Sequence, residues 1–260
     1  MKRFLSDMQH YYRYILYSAK STLKQEVADS FLNWGWLILN PVMFMLVYAF
    51  VQITIFGNQK EYLASFLFVG LTVWNFFNAN INSSVRLIKR YEPIISKTYV
   101  PKFAFVMSSL LVNGFKMLVS FGLVVLSLVL YRVPVSPLMF WCVPYLLLIG
   151  LVSFGGSCIL LHFGVFFDDL ANIVPIALRL LFFLSGIFYD LEGKLGGGMG
   201  IIAERCNPAA FVILQMRRTL IYNQSTDVAG FVIWFLIGIA LSVVGIHLIY
   251  KYERQYVKSV

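Results

Sequence analysis

Apolar and polar positions alternate along this chain in blocks of membrane length rather than in the short periods of a soluble fold. Runs at about 32–56, 62–84, 103–130, 138–163, 172–189 and 231–250 are dominated by aliphatic and aromatic residues. About 20 apolar residues at 1.5 Å rise suffice to cross the hydrocarbon core, so the pattern predicts six transmembrane helices. Pro41 interrupts the first run, the short GNQKE loop follows it, and YRVPVSP punctuates the third-to-fourth connection. The second run ends in NFFNANINSS, a stretch so polar that it must face protein or water.

Ahead of the first run the period changes. Phe4, Leu5, Met8, Tyr11, Tyr12, Ile15, Leu16, Ala19 and Leu23 recur at steps of three and four, with Lys2, Arg3, Arg13, Lys20 and Lys24 between them. Residues 1–31 thus read as an amphipathic helix on the membrane surface, against lipid, the protein's own loops or a partner. Between the fifth and sixth runs, Asp190 to Gly230 carries a glycine cluster (Gly193, Gly196, Gly197, Gly198, Gly200) and then NPAAFVILQMRRTLIY, apolar over too few positions to span. Short re-entrant or interfacial helices suit it. The expected architecture is an all-α integral membrane protein with an interfacial helix over 1–31, a six-helix domain over 32–250 and a polar tail over 251–260. No internal repeat is evident.

Composition agrees: the chain is 60% hydrophobic and 13% charged, with a mean hydropathy of +0.78. A net charge of +9 would suggest nucleic acid in a soluble protein, but here the basic residues flank apolar runs, so membrane lipid headgroups are the expected partners and nucleic acid is not. Five of the seventeen residues of RLIKRYEPIISKTYVPK, 86–102, are Lys or Arg, and only Glu92 is acidic. Basic loops are retained in the cytoplasm. With this loop inside, thirteen Lys and Arg fall on the cytoplasmic side and six outside, with Lys116 and Arg179 inside runs. Both termini are then cytoplasmic, and with no signal peptide ahead of Leu32 the N-terminus is expected to stay in place.

Candidate chemistry is sparse. Cys142, Cys158 and Cys206 form neither a disulfide framework nor a zinc spacing, and His10, His162 and His247 are equally scattered. GKLGGG lacks the Ser or Thr and the glycine spacing of a phosphate loop and reads as a connector. Asp168 and Asp169 approximate the paired aspartates of magnesium-dependent prenyltransferases, but the second acidic cluster is missing. An acidic pair favoured by the helix dipole at the start of the fifth run is the simpler reading. Lys116 and Arg179 are costly within a membrane and mark a pathway or an internal pair, unless they snorkel. Trp34, Trp36, Tyr48, Trp74, Phe76 and Phe77 are either interfacial belt residues or the wall of a path on which sugars stack.

EYLASFLFVGLTVWNFF followed by IISKTYVPK resembles the membrane subunits of ABC-type exporters of O-antigen, capsule and teichoic acid. Trp36 and Pro41, LSGIFY at 184–189, and Asn207-Pro208 with Arg217 downstream extend the resemblance over nearly the whole chain. Two features depart: Asp168-Asp169 stands where the family has Arg-Asp, and Ser185-Gly186 where it has Ser-Pro. The resemblance implies a homodimer in the bacterial cytoplasmic membrane exporting a lipid-linked glycan. It also implies two copies of a separate ATPase that carries ATP and magnesium, and no cofactor or catalytic residue on this chain. Ile95, Ser96, Lys97, Tyr99, Pro101 and Lys102, with Lys20 and Lys24 of the N-terminal helix, become the residues expected to meet that ATPase. Trp36, Tyr48, Trp74, Phe76, Phe77 and Arg179 are expected along the substrate path, and Asn207, Pro208 and Arg217 in the extracellular re-entrant segment. A drug or small-lipid permease and an enzyme acting on polyprenyl phosphate through Asp168 and Asp169 are the rival readings.

Overall fold

The computed structural model describes residues 2–28, 32–55, 57, 62–189 and 204–258, and no strand occurs among them. The helices are α1 (Lys2–Ala28), α2 (Trp36–Thr54), α3 (Leu63–Ser84), α4 (Leu87–Arg90), α5 (Glu92–Ile95), α6 (Lys102–Leu130), α7 (Cys142–Phe166), α8 (Leu170–Phe183), α9 (Pro208–Leu220), α10 (Val228–Lys251) and α11 (Glu253–Lys258). The glycine cluster of 193–200, with Lys194, and most of the GNQKE loop lie outside the described residues. Several starts are set by local chemistry. Asn207 Oδ1 accepts from Ala209 N at 3.0 Å with Pro208 in the first turn of α9, and Asp227 Oδ1 accepts from Gly230 N at 2.9 Å ahead of α10.

Among the described residues, five helices are long and apolar enough to cross a membrane: α2, α3, α6, α7 with the 3₁₀ turn before it, and α10. The fifth expected run, 172–189, behaves differently. Its helix α8 has 14 residues, about 21 Å of rise, and stops at Phe183. Ser185 Oγ donates to Leu181 O at 2.6 Å, and Gly186 turns the chain at φ 63°.

The bundle is built around α3. Of its membrane-length window 78% is buried, against 6% for α2, and α2, α6, α7, α8 and α9 all pack on it. Because polar groups in hydrocarbon require partners, the face of α3 turned to α6 and α7 is stitched to them. Ser65 and Ser127 hydroxyls lie 2.8 Å apart, Asn113 Nδ2 donates to Asn80 Oδ1 at 3.0 Å, and Ser157 Oγ donates to Asn80 O at 3.2 Å.

A second apolar core lies at the basic end, where Ile15, Leu87, Ile95, Phe103, Cys158, Ile249 and Tyr256 meet. This corrects one expectation. The tail over 251–260 is not simply polar, since Tyr256 is fully buried and its hydroxyl lies 2.7 Å from His162 Nδ1. Helix α1 packs one face on α6, with Phe4 against Phe103, Ser108 Oγ donating to Ile15 O at 3.3 Å, and Glu26 paired with Lys116 at 2.5 Å. Between the first and last contacts α1 rises about 33 Å and α6 about 20 Å, so α1 climbs α6 obliquely.

Helices α7 and α10 form the most extensively packed pair. A Cβ on Gly155 would fall 2.6 Å from Ser242 N, and one on Gly245 would fall 2.6 Å from Cys158 Cβ. Small residues let helix backbones approach in lipid, where dispersion rather than hydrophobic burial drives association. Gly155→Val is expected to cost about 1–3 kcal/mol by overpacking, read as a lower melting temperature in detergent. Gly150→Ala, whose Cβ meets nothing within 4 Å, leaves it unchanged.

Candidate functional site

The outward face of α3 is a polar stripe. Asn75, Asn78, Asn82 and Arg86 are separated by three, four and four residues, the spacing that aligns side chains on one helix face. Two cavities open along it. One, of about 580 Å³, lies between α2, α3 and α6 and is lined by Trp36, Phe44, Asn75, Phe76, Asn113 and Lys116, among others. The other, of about 520 Å³, lies between α2, α3 and α8, with Phe44, Tyr48, Trp74, Asn78, Asn82, Arg179 and Phe182 in its wall. Phe44 and Asn75 border both. The result is one groove in which amide groups able to bond hydroxyls alternate with aromatic rings.

Of the residues expected along a path, five line this groove: Trp36 and Phe76 in the first cavity, Tyr48, Trp74 and Arg179 in the second. Phe77 does not. It is packed in the core with its ring 6.0 Å from that of Trp74. Arg179 is exposed to the second cavity and makes no hydrogen bond or ion pair among the described residues. Lys116, left open between pairing and snorkelling, pairs with Glu26. Asn75, Asn78 and Asn82 escaped individual notice in the sequence, although their helical spacing was the available signal.

At the far end of α3 from Arg86, Arg217 on α9 is 2% exposed. Its Nη1 donates to Gly186 O at 2.7 Å, and its Nη2 donates to Ile187 O at 2.8 Å and to Phe66 O at 2.9 Å. The guanidinium lies 3.3 Å from the Phe66 ring centroid. Gly70 makes the space, since a Cβ there would meet Nη2 at 2.8 Å. Asn207 Nδ2 donates to Ser185 Oγ at 2.8 Å. Asn207 and Arg217 thus clamp the turn after α8 onto α3, and Pro208 starts the helix that carries Arg217. The Ser185-Gly186 departure sits inside this clamp.

The basic loop folds into α4 and α5 rather than remaining a loop. Ser96, Lys97 and Tyr99 are exposed, whereas Ile95, Pro101 and Lys102 are buried. Those three are corrections to the expected contact surface: Ile95 joins the inner core, and Lys102 Nζ turns back to donate to Val100 O at 3.2 Å. Lys20 and Lys24 are exposed on α1 and make no hydrogen bond or ion pair among the described residues. The loop is joined to both chain ends by a polar knot. Arg3 Nη2 donates to Tyr99 Oη at 2.8 Å and to Glu253 Oε2 at 3.0 Å, while Tyr99 Oη donates to Glu253 Oε1 at 2.8 Å. Desolvation, with Glu253 adding to it, pushes the Tyr99 hydroxyl up to about 12. Asp168 accepts from Lys89 of α4, and that bond holds its carboxyl below the usual range. Asp169 makes no side-chain cap on α8. Among the described residues no group of three His, Cys, Asp or Glu converges as a metal would require.

Charge-assisted bonds of the Arg217 kind contribute about 1.5–3 kcal/mol each. Arg217→Met is expected to lower the melting temperature of the purified protein and to expose the turn after α8 to proteolysis, whereas Arg132→Gln at an exposed position changes neither.

The sequence comparisons agree along this length. The family profile of ABC-2 type transporters matches residues 14–217. O-antigen export system permease proteins from Klebsiella pneumoniae are similar at 28% and 27% identity over 236 residues, 90% of this chain and 90% of theirs. One from Myxococcus xanthus is 26% identical over 194 residues, 74% of each chain. With the membrane-spanning helices, this coverage makes the chain a multi-pass membrane protein and a transport subunit rather than an enzyme, a member of the ABC-2 type transporter family.

Proposed function

We propose that this chain is the permease subunit of an ABC exporter that moves a lipid-linked polysaccharide of the O-antigen class, or a teichoic-acid-like polymer, out across the bacterial cytoplasmic membrane. The observation that carries the reading is the groove beside α3, where Asn75, Asn78 and Asn82 share the walls with the exposed rings of Phe44 and Trp36 and the half-buried ring of Tyr48. Sugars present hydroxyls at the ring edge and apolar C–H faces, so amides and aromatic rings in one track suit a polymer of repeating sugars better than a single apolar drug. The names of the similar permeases support the same substrate class.

In this reading α8 and the segment after it complete a sixth crossing, α9 belongs to a re-entrant pair on the outer side, and both termini are cytoplasmic. Two copies of the chain pair with two copies of an ATPase that holds ATP and magnesium. Ser96, Lys97, Lys20 and Lys24 offer the exposed surface for that ATPase, and the knot of Arg3, Tyr99 and Glu253 carries its movement to α1 and α11. Closure of the motor then shifts rigid helices about the groove.

Charge reversal at an interface rim costs affinity. Lys97→Glu is expected to weaken co-purification of the cognate ATPase about tenfold, some 1.4 kcal/mol, and to reduce surface glycan, with the melting temperature unchanged. Unaltered association and export would remove Lys97 from the coupling surface. Failure of any ATPase to co-purify with the wild-type chain would remove the export reading itself.

A further inference from the structure

We propose that Arg86 and Arg90, with Asn82 and Ser83, form a binding site for the phosphate group of a polyprenyl lipid at the basic end of the groove. The proposal rests on the export reading above and adds where the substrate's anionic headgroup is held. A cavity of about 330 Å³ opens between the end of α3, α4 and the start of α8, and these four side chains line it with Ala171 and Pro175. Neither arginine makes a hydrogen bond or ion pair among the described residues. The nearest acid, Asp168, bonds Lys89, the third cation of the same turn, and the Arg86 charge acts on it only at longer range.

Two guanidinium groups four residues apart, on either side of one helical turn, present planar forks of donors toward one space. That geometry suits the tetrahedral oxygens of a phosphate, on which each fork can place two parallel bonds. Asn82 adds a neutral donor, while Ser83, whose hydroxyl donates to Asn80 O at 3.2 Å, closes the wall. The cavity is continuous with the groove, because Asn82 and Pro175 border both. A headgroup held there has its glycan end at the Asn78–Asn75 track. Its polyprenyl end has an apolar exit beside α8, where Ile173 is 55% and Ile176 67% exposed. A free phosphate would use the arginines and leave both of those features without purpose.

The test uses the permease purified with its ATPase in nanodiscs of phosphatidylcholine, with undecaprenyl phosphate as probe and native mass spectrometry as readout. The expected result is binding by the wild type, weakened about tenfold or more in Arg86→Gln/Arg90→Gln, since each arginine lost removes charge-assisted bonds. Partial recovery is expected in Arg86→Lys/Arg90→Lys, and no change in Arg132→Gln. The unphosphorylated polyprenol is expected not to bind, and phosphatidylglycerol and inorganic phosphate to compete poorly. Equal binding by the Gln variant and the wild type overturns the site. So does competition by phosphatidylglycerol or inorganic phosphate at concentrations like those of the probe, because the site then reads any anion. Export assayed in parallel separates the two readings. A Gln variant that binds and exports normally refutes the site alone, while arginine-dependent binding in a system exporting no glycan upholds the site and refutes the export reading.

Discussion

A polar group within a membrane must find protein or water, and α3 carries such groups around most of its circumference. That constraint organises the molecule. On one side Ser65, Asn80, Ser83 and Ser84 are satisfied by α6, α7 or their own helix, which draws those helices into a tight shell. On the other side Asn75, Asn78 and Asn82 have no such shell and border open volume. The same rule yields a core and a groove on opposite faces of one helix. Its two ends are fixed differently, by the Arg217 clamp at Phe66 and by α4 with the inner core at Arg86.

Because α3 is continuous from Leu63 to Ser84 and buried for most of its length, displacement at one end is transmitted to the other rather than absorbed. The inner core adds further handles: α1, α4, α5, the start of α6 and the ends of α7 and α10 share one cluster, and the tail residue Tyr256 fills its centre. A partner pressing on Lys97 or on α1 would therefore push several helices together. By contrast α2 and α8 are little buried within the chain, with Phe50, Ile53, Ile176 and Leu180 turned outward. In the proposed mechanism these are the elements with freedom to move, because few packed contacts hold them.

Much of this was legible from residue order. Block hydrophobicity gave the long helices, the run of basic residues marked one end, and the polar close of the second span signalled a special helix. What stayed hidden was three-dimensional in origin. Whether a given Asn of NFFNANINSS faces a neighbour or a cavity depends on which helices flank α3, and residue order alone carries no such neighbour list. The lean of α1 on α6 rests on distant contacts, Phe4 with Phe103, Ile15 with Ser108 and Glu26 with Lys116, and the turn after α8 is locked by side chains 22 to 31 residues downstream. Ile95, Pro101 and Lys102 looked like surface in a basic loop, yet short helical turns bury one face of that loop. Arg217 was expected only as part of the re-entrant segment, because its buried carbonyl partners come from α3 and the turn after α8.

The central claim is that the α3 groove is the route of a lipid-linked glycan, and trapping the substrate there tests it most directly. A photo-crosslinking amino acid at position 78, in the groove, or at position 147, where Leu147 is 69% exposed on α7, is irradiated in cells making the polymer, with the ATPase active or stalled. The account predicts glycan adducts at position 78 that accumulate when the motor is stalled, and none at position 147. Adducts at 147 with none at 78, or equal labelling of both, would contradict it.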